Sequence, residues 1–171
     1  MKNLLFFICI FPIWVFGQQI KKDCQCSCNV VLFSKQQLVP ILDNNRRVKC
    51  YIMDDTIKEN YYVLKIKKIN RNYVYVSASA AIFDTIPREG WINIKNLGIY
   101  PSNFSTINLY NLPQRNSKIK SQLLKPEYYP FNIQNCYKDW LYIKYIDVDK
   151  KLKQGWLSPE DQCSNPYSTC N

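Results

Sequence analysis

Apolar positions along this chain come in short runs, and most of them alternate with polar ones at the two-residue period of a half-buried strand. Val63-Leu64-Lys65-Ile66-Lys67 sets apolar against basic, and Trp91-Ile92-Asn93-Ile94 alternates in the same way. Val30-Val31-Leu32-Phe33 is a continuous apolar run, while Tyr73 to Val76 mixes β-branched and aromatic residues after Arg71-Asn72. Further on, Ile107-Asn108-Leu109-Tyr110, Pro130-Phe131-Asn132-Ile133, Trp140 to Ile146 and Trp156-Leu157 repeat the pattern. Turns rich in Asn, Asp, Pro or Lys separate these runs. No segment holds a helical period for three turns, so the expectation is an all-β sandwich or barrel with little helix.

The runs recur in order. Tyr61-Tyr62, Tyr73 to Val76 and Gly90-Trp91-Ile92 are followed by Tyr128-Tyr129, Trp140 to Ile143 and Gly155-Trp156-Leu157. Tyr62 to Tyr73 is eleven positions, as is Tyr129 to Trp140, and the distances on to Trp91 and Trp156 are eighteen and sixteen. Recurrence of this kind predicts two copies of one small β module. Glycine sharpens the point, because the chain has four and two of them precede tryptophan. A glycine there allows close approach of a neighbouring backbone, and the tryptophan after it buries a large ring. Trp91 and Trp156 are therefore expected in core or inter-strand packing. Leu97-Gly98-Ile99-Tyr100-Pro101-Ser102-Asn103 is expected as the turn that joins the copies.

The amino terminus has a different grammar. One lysine, an apolar run from Leu4 to Phe16, and Gly17-Gln18-Gln19 have the form of a secretory signal peptide, too short for a comfortable membrane span. The organisation expected is a signal peptide at 1–17, a cysteine-containing segment at 18–28, modules at 29–100 and 101–163, and a tail at 164–171. The mature chain would then be exported, periplasmic or secreted, without a transmembrane span. Modules of about 60 residues are marginal alone, so two with so short a junction should pack together.

Export changes how cysteine is read. Of eight cysteines, Cys9 would leave with the leader and seven would enter a compartment where disulfides persist. Cys163 and Cys170 flank turn chemistry, Ser164-Asn165-Pro166-Tyr167, and are the candidate local disulfide. Cys24-Gln25-Cys26-Ser27-Cys28 would point its thiols to one face if extended, so they must reach partners elsewhere. A soft-metal site is one reading of this motif and disulfide bonding the preferred one, so no metal or other cofactor is expected.

Candidate chemistry is narrow. The chain contains no histidine, which removes Ser-His-Asp and Cys-His nucleophilic sites and histidine-ligated metal hydrolase sites. Asp54-Asp55 and Glu160-Asp161 are adjacent acids among turn residues and read as solvated surface. Too few glycines remain for a phosphate-cradling loop. The expectation is a protein that is not an enzyme.

The second copy resembles the bacterial SH3-like (SH3b) domain. Ile107-Asn108-Leu109-Tyr110 leads to Pro113, a variable turn runs through Ser117-Lys118-Ile119, Asp139-Trp140 opens a strand with Ile143 three positions on, and Gly155-Trp156-Leu157 closes it. The resemblance covers about residues 104 to 160. The first copy keeps Gly90-Trp91-Ile92 and has Tyr73 in the place of Trp140, but Pro40 to Asn60 exceeds the family's turn. The resemblance implies two small, partly open barrels in tandem and a non-catalytic role in binding peptides, peptidoglycan or anionic wall polymers. An aromatic groove of that kind would use Tyr110, Tyr129, Trp140, Tyr142, Tyr62 and Tyr73, drawn from a larger set of tyrosines that includes Tyr61 and Tyr128.

A net charge of +10 adds a basic surface to these rings. With an export signal, the partner expected is an anionic envelope polymer, a peptide or an acidic protein, and not nucleic acid. The competing expectation is a secreted structural or scaffolding protein, held by disulfides and joined through an odd cysteine to another chain.

Overall fold

A computed structural model describes residues 26–34, 36–82, 86–102, 105–167 and 170. The expected signal peptide, and Cys24 with it, lie outside the described residues. The described chain is all-β. Its thirteen strands are β1 (Asn29–Leu32), β2 (Val39–Leu42), β3 (Val48–Ile52), β4 (Tyr62–Asn70), β5 (Tyr73–Ala80), β6 (Arg88–Asn93), β7 (Leu97–Pro101), β8 (Thr106–Tyr110), β9 (Ile119–Leu124), β10 (Phe131–Tyr137), β11 (Trp140–Ile146), β12 (Leu152–Leu157) and β13 (Gln162–Cys163). Two single 3-10 turns, Ile94–Asn96 and Pro159–Asp161, introduce β7 and β13.

Alternation places the strands as expected. Leu64 and Ile66 are buried while Lys65 and Lys67 between and after them are exposed, and Val74, Val76 and Ala78 bury one face of β5. The connection from β4 to β5 is the pair Arg71-Asn72, with Arg71 at φ 55°, and β10 reaches β11 through Lys138-Asp139, with Lys138 at φ 54°. Charged residues thus occupy left-handed positions that glycine usually fills, at about 1 to 2 kcal/mol each.

The pairing order is β3-β2-β6-β5-β4-β1-β7-β10-β11-β12-β8-β9, all antiparallel, with β13 added beside β7. Read inward from either end, the order is the same: a hairpin, then the fifth, fourth and third strands of that half. The register repeats as well. Val76 faces Gly90 and Ile143 faces Gly155, Tyr75 faces Trp91 and Tyr142 faces Trp156. A bulge follows Ile66 in β4 and Ile133 in β10, and another falls at Lys49 in β3 and Lys120 in β9, opposite the steps from Ile41 to Leu42 and from Leu109 to Tyr110.

The Gly-Trp element now has a physical cause. A Cβ on Gly90 would sit 2.5 Å from the Leu42 carbonyl oxygen and against Ile41 Cγ2. On Gly155 it would sit 2.8 Å from Leu109 Cβ and 3.1 Å from the Tyr110 carbonyl oxygen. In both halves the first hairpin strand crosses over the glycine, so a side chain is sterically excluded.

The junction differs from expectation. Leu97–Pro101 is not a turn but strand β7, with all five residues buried. Its Leu97 and Gly98 pair with β1, its Gly98 and Ile99 with β10, and its Tyr100 and Pro101 with β13. Gly98, which reads as a turn residue, is there because a Cβ would lie 2.8 Å from Pro130 Cβ and 3.2 Å from Phe33 Cα. The boundary drawn between residues 100 and 101 falls inside this strand. Strand pairing runs as one open path from β3 to β9, and a single contiguous cluster of buried side chains spans both halves. Strands β2 and β3 lie almost wholly within Pro40 to Asn60, which reads as a long turn in the resemblance, and β9 begins at Ile119, the last residue of the expected variable turn.

Candidate functional site

Cross-strand partners in an antiparallel sheet share a face. In the second half Tyr142 lies opposite Trp156, and Trp156 opposite Tyr110, so the register sets three rings in a row across β11, β12 and β8. Trp140, two positions before Tyr142, joins the same face. Tyr142 and Trp156 meet edge to face with centroids 5.4 Å apart, and Tyr110 and Trp140 do so at 5.5 Å. Trp140 is 7% exposed and forms the floor, while Tyr110, Tyr142 and Trp156 are half-buried and form the sides. Lys120, carried on the bulge of β9, donates from Nζ to the Tyr142 hydroxyl at 3.0 Å. This is a surface of apolar ring faces with polar tips and a cation at its rim.

The first half builds the same row with different fittings. Tyr73, Tyr75 and Trp91 occupy the places of Trp140, Tyr142 and Trp156, and Leu42 stands where the second half has Tyr110. Tyr75 and Trp91 are 5.4 Å apart, edge to face. Here cations lie on the rings, although Tyr73 and Tyr75 stay half-buried. The tight turn closing β2 and β3 is held by Asp43, whose Oδ1 accepts from the Asn45 and Arg47 amides, and it projects Arg46 onto the row. The guanidinium carbon is 4.2 Å from the Tyr73 centroid and 4.5 Å from that of Trp91. Lys68 lies over Tyr75 and Trp91 at 5.1 and 5.4 Å. Trp91 donates to Asn44 Oδ1 at 3.1 Å and is 8% exposed.

Two register positions explain the contrast. Lys68 opposes Tyr75, whereas Asn135 opposes Tyr142. Glu89 pairs with Lys67 and accepts from the Tyr75 hydroxyl at 3.4 Å, and the lysine beside it holds its carboxyl below the usual range. Gln154 takes the equivalent place in β12. The second row therefore meets one cation at one ring, Lys120 Nζ 5.4 Å from the Tyr142 centroid, and has Gln154 in place of that carboxylate.

No protein-family model, curated protein or solved structure matches this chain. Its site is read from its own chemistry.

Of the residues singled out from sequence, Tyr110, Trp140 and Tyr142 come together and Tyr73 holds the matching position in the other half. Tyr62 and Tyr129 do not join them. Tyr62 sits at the far end of β4 from the Arg71 turn, with Arg88 5.9 Å from its ring. Tyr129 is 65% exposed and borders a separate shallow depression with Phe33, Pro130, Tyr145, Ile146 and Leu152. Trp156, assigned to packing by the sequence, bridges the row between Tyr142 and Tyr110.

The first members of the doubled tyrosines pack at a seam, the small cluster of Val31, Tyr100 and Cys163 where β7 meets β13, instead of in a groove. Tyr128 packs on buried Tyr100 at 4.9 Å and donates to the Asn165 carbonyl at 2.9 Å, while Tyr61 meets Tyr167 at 5.6 Å. Asp54, expected as solvated surface, is 4% exposed and accepts from the Tyr62 amide at 2.9 Å. Burial raises the Tyr100 hydroxyl above its ordinary range, with smaller contributions from Tyr128, Asp54 and Tyr167. Sequence reasoning missed this cluster because Tyr61 and Tyr128 lie just outside the strands, and Tyr100, Asn165 and Tyr167, which they meet, are distant in the chain.

Cys163 and Cys170 form the expected disulfide, with Cα atoms 5.4 Å apart. Cys26 reaches Cys136, 110 positions away, at a Cα separation of 5.8 Å. Cys28 and Cys50 are free thiols. Cys28 is buried with its Sγ 3.5 Å from Cys136 Sγ, and desolvation, reinforced by Asp139, pushes its thiol up to about 12.

Proposed function

We propose that this chain is an exported, non-catalytic binding protein built from two SH3-like barrels fused through β7, and that it takes an extended anionic peptide or envelope polymer along Tyr110, Trp140, Tyr142 and Trp156. One observation carries the reading: in the second half Tyr110, Tyr142 and Trp156 are half-buried around Trp140 with Lys120 meeting only the Tyr142 end, while in the first half Arg46 and Lys68 lie over all three rings of the row. Ring faces grip sugar or peptide planes, and the lysine and the overall positive charge favour an anionic ligand. The identical strand order of the two halves, the 3-10 turn before each closing strand and the sequence resemblance support the barrel reading. The apolar leader and two disulfides support export.

The test is binding of the purified protein to isolated envelope polymers and to an acidic peptide library, beside a Trp156→Ala variant. Binding that Trp156→Ala abolishes supports the reading; binding that is absent, or equal in the variant, defeats it. A second reading, a scaffolding protein that joins another chain by a disulfide, is favoured by Cys50, a half-buried free thiol on edge strand β3. A non-reducing gel separates the two, since that reading requires a linked dimer that Cys50→Ser removes.

A further inference from the structure

Cys26, Cys28 and Cys136 place three sulfur atoms within 4.8 Å of one another, all buried. A disulfide accounts for only two. Cys26 and Cys28, two positions apart, both turn inward and are each 4% exposed, and Cys136 on β10 faces them. Cys28 and Cys136 both direct their sulfurs at the Lys138 carbonyl oxygen at 3.6 Å, and the Ser27 amide donates to that same oxygen at 2.8 Å. The turn that carries Lys138 thus sets a floor beneath the three sulfurs.

The arrangement is a triangle and not a line. Attack of a thiolate on a disulfide runs along the sulfur–sulfur axis. With Cys28 3.5 Å from Cys136, an in-line approach would put the outer sulfurs about 5.5 Å apart for a normal bond length. They are within 4.8 Å, so Cys28 is not placed to displace Cys26. A triangle is what a three-coordinate cation requires: metal–sulfur bonds of about 2.3 Å set the corners about 4 Å apart.

We propose that Cys26, Cys28 and Cys136, in their thiol form, are a three-coordinate site for a soft monovalent cation, Cu(I). Thiolates select soft cations, and the chain has no histidine to favour a mixed set. Structural zinc takes four ligands, one more than the described sulfurs provide. The two fates of the cluster are mutually exclusive. Oxidation by exchange with an external disulfide moves two electrons and two protons from Cys26 and Cys136 to that disulfide, which leaves as two thiols, and forms their bond. Metal binding takes no electrons: each sulfur releases its proton to solvent as it bonds to Cu(I). A chain not yet oxidised would load the cation without a reductant.

The experiment uses the full chain reduced by a water-soluble phosphine, which becomes the phosphine oxide with oxygen from water as the disulfide gains two protons. Cu(I) is then added anaerobically against a chromogenic Cu(I) chelator. The expected result is one Cu(I) retained per chain, with retention roughly a hundredfold weaker in Cys28→Ser and unchanged in Cys50→Ser. Cys28 is outside the disulfide, so Cys28→Ser keeps the Cys26–Cys136 bond in its oxidised form, and mapping that bond verifies the fold. Surrender of all copper to the chelator, equal retention in Cys28→Ser, or zinc held at the same sulfurs in preference to Cu(I) would each overturn the assignment.

Discussion

The two halves share strand order, register, bulges and turn conformation, yet they differ in what lies on their aromatic rows. In the first half Arg46 and Lys68 stack on Tyr73, Tyr75 and Trp91, and Glu89 sits at the edge. In the second, Asn135 and Gln154 stand at the matching positions and Lys120 meets the row at Tyr142, with its Nζ 3.0 Å from the hydroxyl and 5.4 Å from the ring centroid. The lesson is that a repeated backbone need not repeat the side chains that lie on it. Backbone repetition comes from steric rules at a few positions, such as the crossing over Gly90 and Gly155. Occupancy of the rings comes from surface side chains that those rules leave unconstrained.

The largest effect expected concerns how the halves are joined. Cys26–Cys136 closes a loop of 110 residues between the start of the first half and the third strand of the second, whereas Cys163–Cys170 closes one of 7 within the tail. By chain entropy, Cys136→Ser should cost about 5 kcal/mol and Cys170→Ser about 2. Urea unfolding measures both, and equal costs would mean that the halves are not coupled through the long loop. Next come the glycines. Gly90→Ala meets backbone oxygen at 2.5 Å and should cost about 3 kcal/mol, while Gly155→Ala, with 2.8 and 3.1 Å contacts, should cost about 2. A neutral effect at either position would remove the steric account of the Gly-Trp element.

The seam has its own signature in alkali. The folded Tyr100 hydroxyl titrates above its unfolded value, so its contribution to stability is fully present below about pH 10 and is lost as pH rises from there towards the folded value. Stability of the wild type should fall more steeply over that window than that of Tyr100→Phe. Parallel curves would place the alkaline loss elsewhere. The smallest effect is also the most specific to the comparison. Arg46→Ala with Lys68→Ala should cost about 1 kcal/mol in all and leave the first row open like the second, detectable as increased quenching of Trp91 fluorescence by a neutral quencher.

Much of this was legible in the sequence because it is local. Alternation in Val63 to Lys67 fixed a strand face, the spacing of Gly-Trp pairs revealed the repeat, and the turn between Cys163 and Cys170 marked a short disulfide. What was not legible depends on distant partners. Leu97–Pro101 reads as a turn from its Gly and Pro, but three strands pair with it and bury it. Asp54 reads as surface until the fold buries it, and Tyr61 and Tyr128 cannot be told from Tyr62 and Tyr129 until their distant partners Tyr167 and Tyr100 are in place. Among the site residues, Tyr110, Trp140 and Tyr142 follow from the aromatic groove that the SH3-like resemblance implies, which also names Tyr129 and Tyr62. Trp156 was assigned to packing because the argument for a buried ring after glycine does not say which side of the sheet stays open.

The central claim is that the open row of the second half is the ligand surface. Its direct test is the dissociation constant of one anionic envelope polymer for the wild type, Tyr142→Ala and Tyr75→Ala, measured side by side. The account predicts roughly tenfold weakening, about 1.4 kcal/mol, in Tyr142→Ala and little change in Tyr75→Ala. Equal losses in the two variants, or a larger loss in Tyr75→Ala, would contradict it.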